Sequence, residues 1–266
     1  MSELSYFLPA IVLLLCLIGI HCYLGLHVLM REVIFIDLSL AQVAAMGYVV
    51  SLILGFELGT WGSYGVALLH TMGGALLFAY CKRVEHEISQ ESLIGITYAF
   101  AASMVVLLLN NVGHGMEHVK NMLVGRILWV DWHDVIKVVV LYSIVGLIHY
   151  FYRQRFFSLS KKENIQNAIF WDFIFYALFG VVITSSVGSA GLLLVFSLLI
   201  VPAQISSVLF KAIKNRLFFG WGLGLLISVI GLFTSLKVDL PTGAVTVFFF
   251  TATAIVFTFI RAFLAK

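Results

Sequence analysis

The run GSAGLLLVFSLLIVPAQISSVLF, residues 188–210, decides the fold. It contains no Lys, Arg, Asp or Glu, and its apolar residues follow one another without the in-out alternation of a membrane β-strand. A bilayer core requires roughly 20 predominantly apolar residues for one helical crossing, and this run supplies them. Residues 241–260 read the same way. Composition extends the reading to the whole chain of 266 residues: 62% are hydrophobic and 11% charged, with a mean hydropathy of +1.07. These values exclude an ordinary soluble domain.

Outward from that run, further spans fall near 8–30, 33–56, 62–81, 92–111, 134–153, 167–186, 190–210, 217–236 and 242–263. The expected class is an all-α membrane protein, a polytopic helical bundle of about nine transmembrane helices. Basic residues then set its direction. Arg31, Lys82 and Arg83, Arg153 to Lys162, Lys211 to Arg216, and the tail with Arg261 and Lys266 fall at alternate ends of successive spans. Lys and Arg favour the cytoplasmic side, so the N-terminus is expected outside and the C-terminus in the cytoplasm. Lys120 and Arg126 depart from this pattern, offset by Glu117, Asp131 and Asp134.

MSELSYFLPA lacks the basic start and small-residue cleavage site of a secretory signal, so the first span is expected to be retained. Residues 1–266 are expected to form one transmembrane domain. No connection is long enough to fold alone, so a nucleotide-binding or catalytic module would come from another chain. Cys16, Cys22 and Cys81 lie in or at the ends of spans without zinc-finger spacing, and read as packing residues. Gly73-Gly74 and the GWGLG run with Gly220, Gly222 and Gly224 have no following Lys-Ser/Thr, and read as close helix contacts rather than phosphate loops.

Polar groups at membrane depth are costly and therefore informative. His21, Gln42 and His70 each lie near the centre of a span. Two imidazoles and an amide oxygen could hold zinc or manganese in passage, or be hydrogen-bonded core residues. Asp37 and Asp172 sit one turn inside cytoplasmic ends, either snorkelling or pairing with Arg31 or Lys162. His27 and His149 lie near the same face, where water access favours an ordinary role. On the outer side, His114, Glu117 and His118 are spaced i, i+3 and i+4, which puts them on one helical face. His133 follows, preceded by Trp129 and Trp132, which suit an interfacial belt. This set could form an outer entrance relay for a metal, or a solvated surface. HGMEH is not the HExxH of a zinc protease.

Pro202-Ala203-Gln204 closes the seventh span and leads into SSVLFKAIKNR, residues 206–216, with Lys211, Lys214 and Arg216. A proline there is expected to break the helix and lay a short amphipathic segment along the inner surface. That segment could dock in a groove of a cytosolic protein or anchor on lipid phosphates. Asp239-Leu240-Pro241-Thr242-Gly243 reads as a tight turn at the outer side.

These segments resemble the integral-membrane permeases of zinc, manganese and iron ABC uptake systems. The resemblance is carried by GLHVLMREVIFIDLSLAQVAAMG (25–47), QESLIGITYAFAASMVVLLL (90–109) and MLVGRILWVDWHDV (122–135). GLLLVFSLLIVPAQIS (191–206) and GLGLLISVIGLFTSLKVDLPTGAV (222–245) carry it most specifically, through Pro202-Ala203 and Pro241-Thr242-Gly243. The resemblance implies a multi-pass permease of the cytoplasmic membrane, not itself an enzyme and without a tightly bound cofactor. It implies a homodimer that pairs with two cytosolic ATPase subunits and receives metal from an extracytoplasmic binding protein. Pro202 to Arg216 would then touch the ATPase.

Three positions depart from the pattern: Gln42 stands where the family has His, Leu38 where it has Asp, and Asp37 where it has Gly. An amide is a weaker zinc ligand than imidazole, and His21 or His70 could supply the missing nitrogen. A gradient-driven transporter or channel, or an intramembrane metalloenzyme, remains as the alternative. The first class often carries internal repeats and the second needs a catalytic constellation; neither is evident here.

Overall fold

The computed structural model describes residues 3–110 and 125–264, with side chains from residue 7 onward. Ten α-helices occur among them: α1 Glu3–Arg31, α2 Ile36–Ile53, α3 Trp61–Cys81, α4 Gln90–Leu109, α5 Trp132–Phe151, α6 Arg153–Ser160, α7 Ala168–Ala190, α8 Leu192–Leu209, α9 Ile213–Val238 and α10 Thr242–Leu264. All but α6 are long and apolar enough to cross a membrane, which gives nine candidate spans among the described residues.

Local chemistry sets the helix boundaries. Glu32 adopts φ 60° and ends α1, so the second span begins at Ile36 rather than at 33. Thr60 and Ser89 cap α3 and α4 by accepting the amides of Ser63 and Ser92. Gly191, at φ 81°, separates α7 from α8, and Asp239, in the left-handed region, ends α9.

Proline does not act as the sequence suggested. Pro202 lies inside α8, which continues to Leu209, and the break comes at Phe210 and Ala212, whose backbones are extended. SSVLFKAIKNR is therefore not one amphipathic helix. Its first residues finish α8, and its last begin α9.

The chain divides into two compact units. The first comprises residues 1–29, 123–142 and 189–266, and the second residues 30–122 and 143–188. In the first unit, small residues let helices meet at the backbone. A side chain at Gly25 would strike the Leu199 carbonyl, one at Gly220 the Cys22 sulfur, and one at Gly224 the Ile18 side chain at 3.0 Å. Trp221 Nε1 donates to the Gly19 carbonyl at 3.1 Å across the same seam. Gly222 faces open space. The packing role expected of the GWGLG run therefore belongs to its first and last glycines only. Gly125, at φ 75°, lies against the Ala190 backbone, while the Arg126 amide donates to the Ser189 carbonyl.

In the second unit α2 packs against α3 and α4, with Ala45 and Val49 meeting Val105 and Leu109. A Cβ added at Gly74 would lie 3.1 Å from the Leu40 side chain, whereas one at Gly73 would meet nothing within 4 Å. Thr71 joins α3 to α7 through a 3.0 Å hydroxyl pair with Thr184. Phe175, Tyr176 and Phe179 are fully buried on α7.

Candidate functional site

His21 belongs to the first unit and is fully buried, with its ring edge-on to Tyr142 at 6.2 Å. Its Nδ1 lies 2.8 Å from the Leu17 carbonyl one turn earlier. Gln42 and His70 belong to the second unit, and both are half-buried. His70 Nδ1 lies 2.8 Å from the Val66 carbonyl. A carbonyl can only accept, so Nδ1 carries a proton in each histidine. Metal-binding imidazoles are commonly fixed in this way, with the second nitrogen donating to a carbonyl.

A Cβ added at Gly47 would lie 3.1 Å from the His70 side chain. His70 is therefore level with Gly47, five residues or about 7.5 Å along α2 from Gln42. The Gln42 amide has no hydrogen bond among the described residues.

Asp37, at the start of α2, is 2% exposed, and its Oδ1 has no hydrogen-bond partner. Glu91, from the start of α4, accepts the Phe35 amide at the same helix end and interacts electrostatically with Asp37. Its Oε2 is likewise buried without a partner. Sequence reasoning passed over Glu91, although a lone carboxylate opening an apolar span was a visible signal.

Asp172 does not snorkel. It is fully buried and shared by two cations: Arg31 Nη1 at 2.6 Å and Lys82 Nζ at 3.0 Å. Arg31 also donates from Nε to Ser160 at 3.0 Å and lies 3.9 Å above the Phe175 ring. Lys162 pairs with Glu32 at 2.6 Å instead. This contact holds the Glu32 carboxyl below its usual range and the Lys162 ammonium above its own. His27 and His149 are buried rather than water-facing. His27 packs against Tyr23 at 4.8 Å, and His149 stacks on Phe156 at 4.3 Å.

His114, Glu117 and His118 lie outside the described residues. His133 is exposed at the start of α5, where its ring nitrogen and carboxylate oxygens of Asp131 and Asp134 all lie within 4.8 Å of one another. Asp131 Oδ1 also accepts the Asp134 amide. The D-x-H-D spacing was legible, but the two aspartates read only as counter-charges. Trp129 and Trp132 are exposed beside this cluster.

On the α8–α9 segment Pro202 and Ala203 are buried, whereas Gln204, Lys211 and Lys214 are exposed. Arg216 turns inward, and its Nε donates to the Phe210 carbonyl at 2.8 Å, tying the break to α9. At the opposite end of α9, the Ser235 hydroxyl reaches the Leu240 carbonyl and the Thr242 hydroxyl, each at 2.6 Å. The tight turn of Asp239, Pro241 and Gly243 is held in this way.

Comparison with known proteins gives this geometry its context. A probable iron transport system membrane protein of Haemophilus influenzae is 21% identical over 257 residues, covering 91% of this chain and 86% of that protein. The manganese transport system membrane protein MntC of Listeria innocua is 23% identical over 214 residues, covering 71% and 75%. Among solved structures, PsaBC from Streptococcus pneumoniae in complex with Fab superposes with a TM-score of 0.77 at 19% identity, over 95% of this chain and 90% of that one. An inward-facing metal-chelate type ABC transporter gives 0.68 at 18% identity, over 95% and 85%. These two likenesses establish a shared fold. The profile of the ABC 3 transport family matches residues 3–261, and the chain therefore belongs to that family of multi-pass membrane transport proteins.

Proposed function

We propose that this chain is the membrane permease of an ATP-driven importer of a divalent metal, zinc or manganese, with iron as a further candidate. The family match across residues 3–261 carries the reading. Relatives described as manganese and iron transport membrane proteins support the metal class. The permease works as a homodimer with two cytosolic ATPase subunits and an extracytoplasmic binding protein, and has its N-terminus outside.

Metal enters by way of His133 and of His114, Glu117 and His118, which lie outside the described residues. On its path it meets His21, Gln42 and His70, and it leaves by Asp37. The neutral amide of Gln42 and the carboxylate of Asp37 add oxygen donors to the imidazoles, a mixture that suits manganese better than an all-nitrogen or thiolate set would. Lys211, Lys214 and Gln204 face the ATPase. Its nucleotide cycle biases the permease between outward and inward states, which must differ in metal affinity for transport to proceed.

Uptake of radiolabelled manganese and zinc into proteoliposomes holding permease and ATPase tests this reading, with a P-loop lysine variant of the ATPase as control. Uptake should require ATP and an intact P-loop. Transport that continues unchanged in the P-loop variant would return the chain to the gradient-driven class.

A further inference from the structure

Two kinds of cation gather at the end of the second unit where Arg31, Lys82 and Asp172 meet. Arg31 and Lys82 share Asp172, and Lys162 holds Glu32. Arg83, Arg153 and Arg155 are different. Each is exposed, and none has a carboxylate partner among the described residues.

Each guanidinium instead lies against an aromatic ring at the end of a span. Arg83 sits 4.7 Å from the Tyr80 centroid, Arg153 is 4.8 Å from Tyr150, and Arg155 is 4.8 Å from Trp171. The helix bearing two of them is short: α6 buries Phe156, Leu159 and Ser160, and Arg153, Gln154 and Arg155 are exposed at its first turn.

The surroundings identify the partner. Tyr150, Phe151, Tyr152 and Phe170 are exposed around these arginines, which is costly in water but favourable at the boundary between acyl chains and headgroups. A guanidinium whose face is covered by a ring keeps its edge donors, and that edge matches two oxygens of a phosphate. A water-facing protein contact would not need the collar of exposed aromatic side chains. We propose that Arg83, Arg153 and Arg155, braced on Tyr80, Tyr150 and Trp171, each bind headgroup phosphates of anionic phospholipids. These lipids seat α6 in the membrane surface and so fix this end of the second unit.

The test uses the full-length chain, purified in detergent and offered phosphatidylglycerol or phosphatidylcholine, with retained lipid read by native mass spectrometry. Wild-type protein should prefer phosphatidylglycerol, and each Arg→Gln change should weaken its retention about fivefold, the share of one surface cation. The combined R83Q, R153Q and R155Q variant should lose the preference. Should it fail to express, the three single variants carry the same comparison, and Arg155→Lys should retain part of the binding.

Equal retention of both lipids by the wild type, or undiminished phosphatidylglycerol in the variants, would overturn the proposal. So would a thermal shift from inorganic phosphate as large as that from the lipid, which would indicate a site for free anions. Variants that keep the lipid but lose a co-purifying ATPase would make this a protein-docking face and overturn it equally. None of these readings needs ATP-driven uptake, so failure here and failure of the importer assignment are separable.

Discussion

At the scale of the residue, the two kinds of buried polar group differ in what surrounds them. His70 has its Nδ1 on Val66 and its ring half-buried, so on the proposed path truncation removes an imidazole whose orientation is already fixed. His70→Ala should lower metal affinity by at least the roughly 10- to 100-fold lost when only the outer-shell support of a ligand is removed. Gln42→His should move preference toward zinc. Competition uptake with both metals checks the pair, and unchanged selectivity in both variants would return the residues to core packing.

Asp172 predicts a stability effect instead. Asp172→Asn leaves Arg31 buried without its anion and should cost about 3–5 kcal/mol. Lys82→Gln, which removes a partner whose side chain is 27% exposed, should cost no more than about 1 kcal/mol. Thermal unfolding of the purified chain orders the two. Sequence alone leaves Asp172 either snorkelling or paired with Arg31 or Lys162. The choice of Arg31 with Lys82 required knowing which helix ends meet.

At the scale of the element, backbone proximity rather than hydropathy decides what each helix tolerates. Gly25→Val would drive two methyls into the Leu199 carbonyl, and should destabilise by about 1–3 kcal/mol through overpacking. Gly222→Ala meets nothing and should be neutral or stabilising by up to about 1 kcal/mol, from helix propensity. Melting temperatures of the two variants separate the cases, and equal losses would contradict the close α1–α8 approach.

The break between α8 and α9 gives a functional counterpart. Lys211 and Lys214 are exposed there, so K211Q with K214Q should lower permease-stimulated ATP hydrolysis several-fold while metal binding stays intact. Arg216→Gln would loosen the Phe210 carbonyl and reduce stability as well. Spans were legible to within a few residues because apolar length is a local property. The position of the break was not, because Pro202 is accommodated inside α8 and the interruption falls at three ordinary residues after it.

At the scale of the whole molecule, the charge pattern predicts an orientation that can be measured directly. In inside-out and right-side-out vesicles, Lys214→Cys should react with an impermeant maleimide only from the cytoplasmic side and His133→Cys only from the other. Reaction from one common side would reverse part of the topology. The three native cysteines are half-buried or buried, which keeps the background low.

The sequence by itself determined the membrane class, the helical architecture, the span positions, the family motifs and the expected direction of the chain. All of these depend on composition and local order, which the bilayer converts directly into structure. Tertiary structure alone decided that Asp172 holds two cations and that Glu91 reaches the start of α2 beside Asp37. It also decided that Arg155 lies over Trp171, with no carboxylate partner among the described residues. Those facts join residues far apart in the chain, and only the packing of helix on helix brings their side chains within reach.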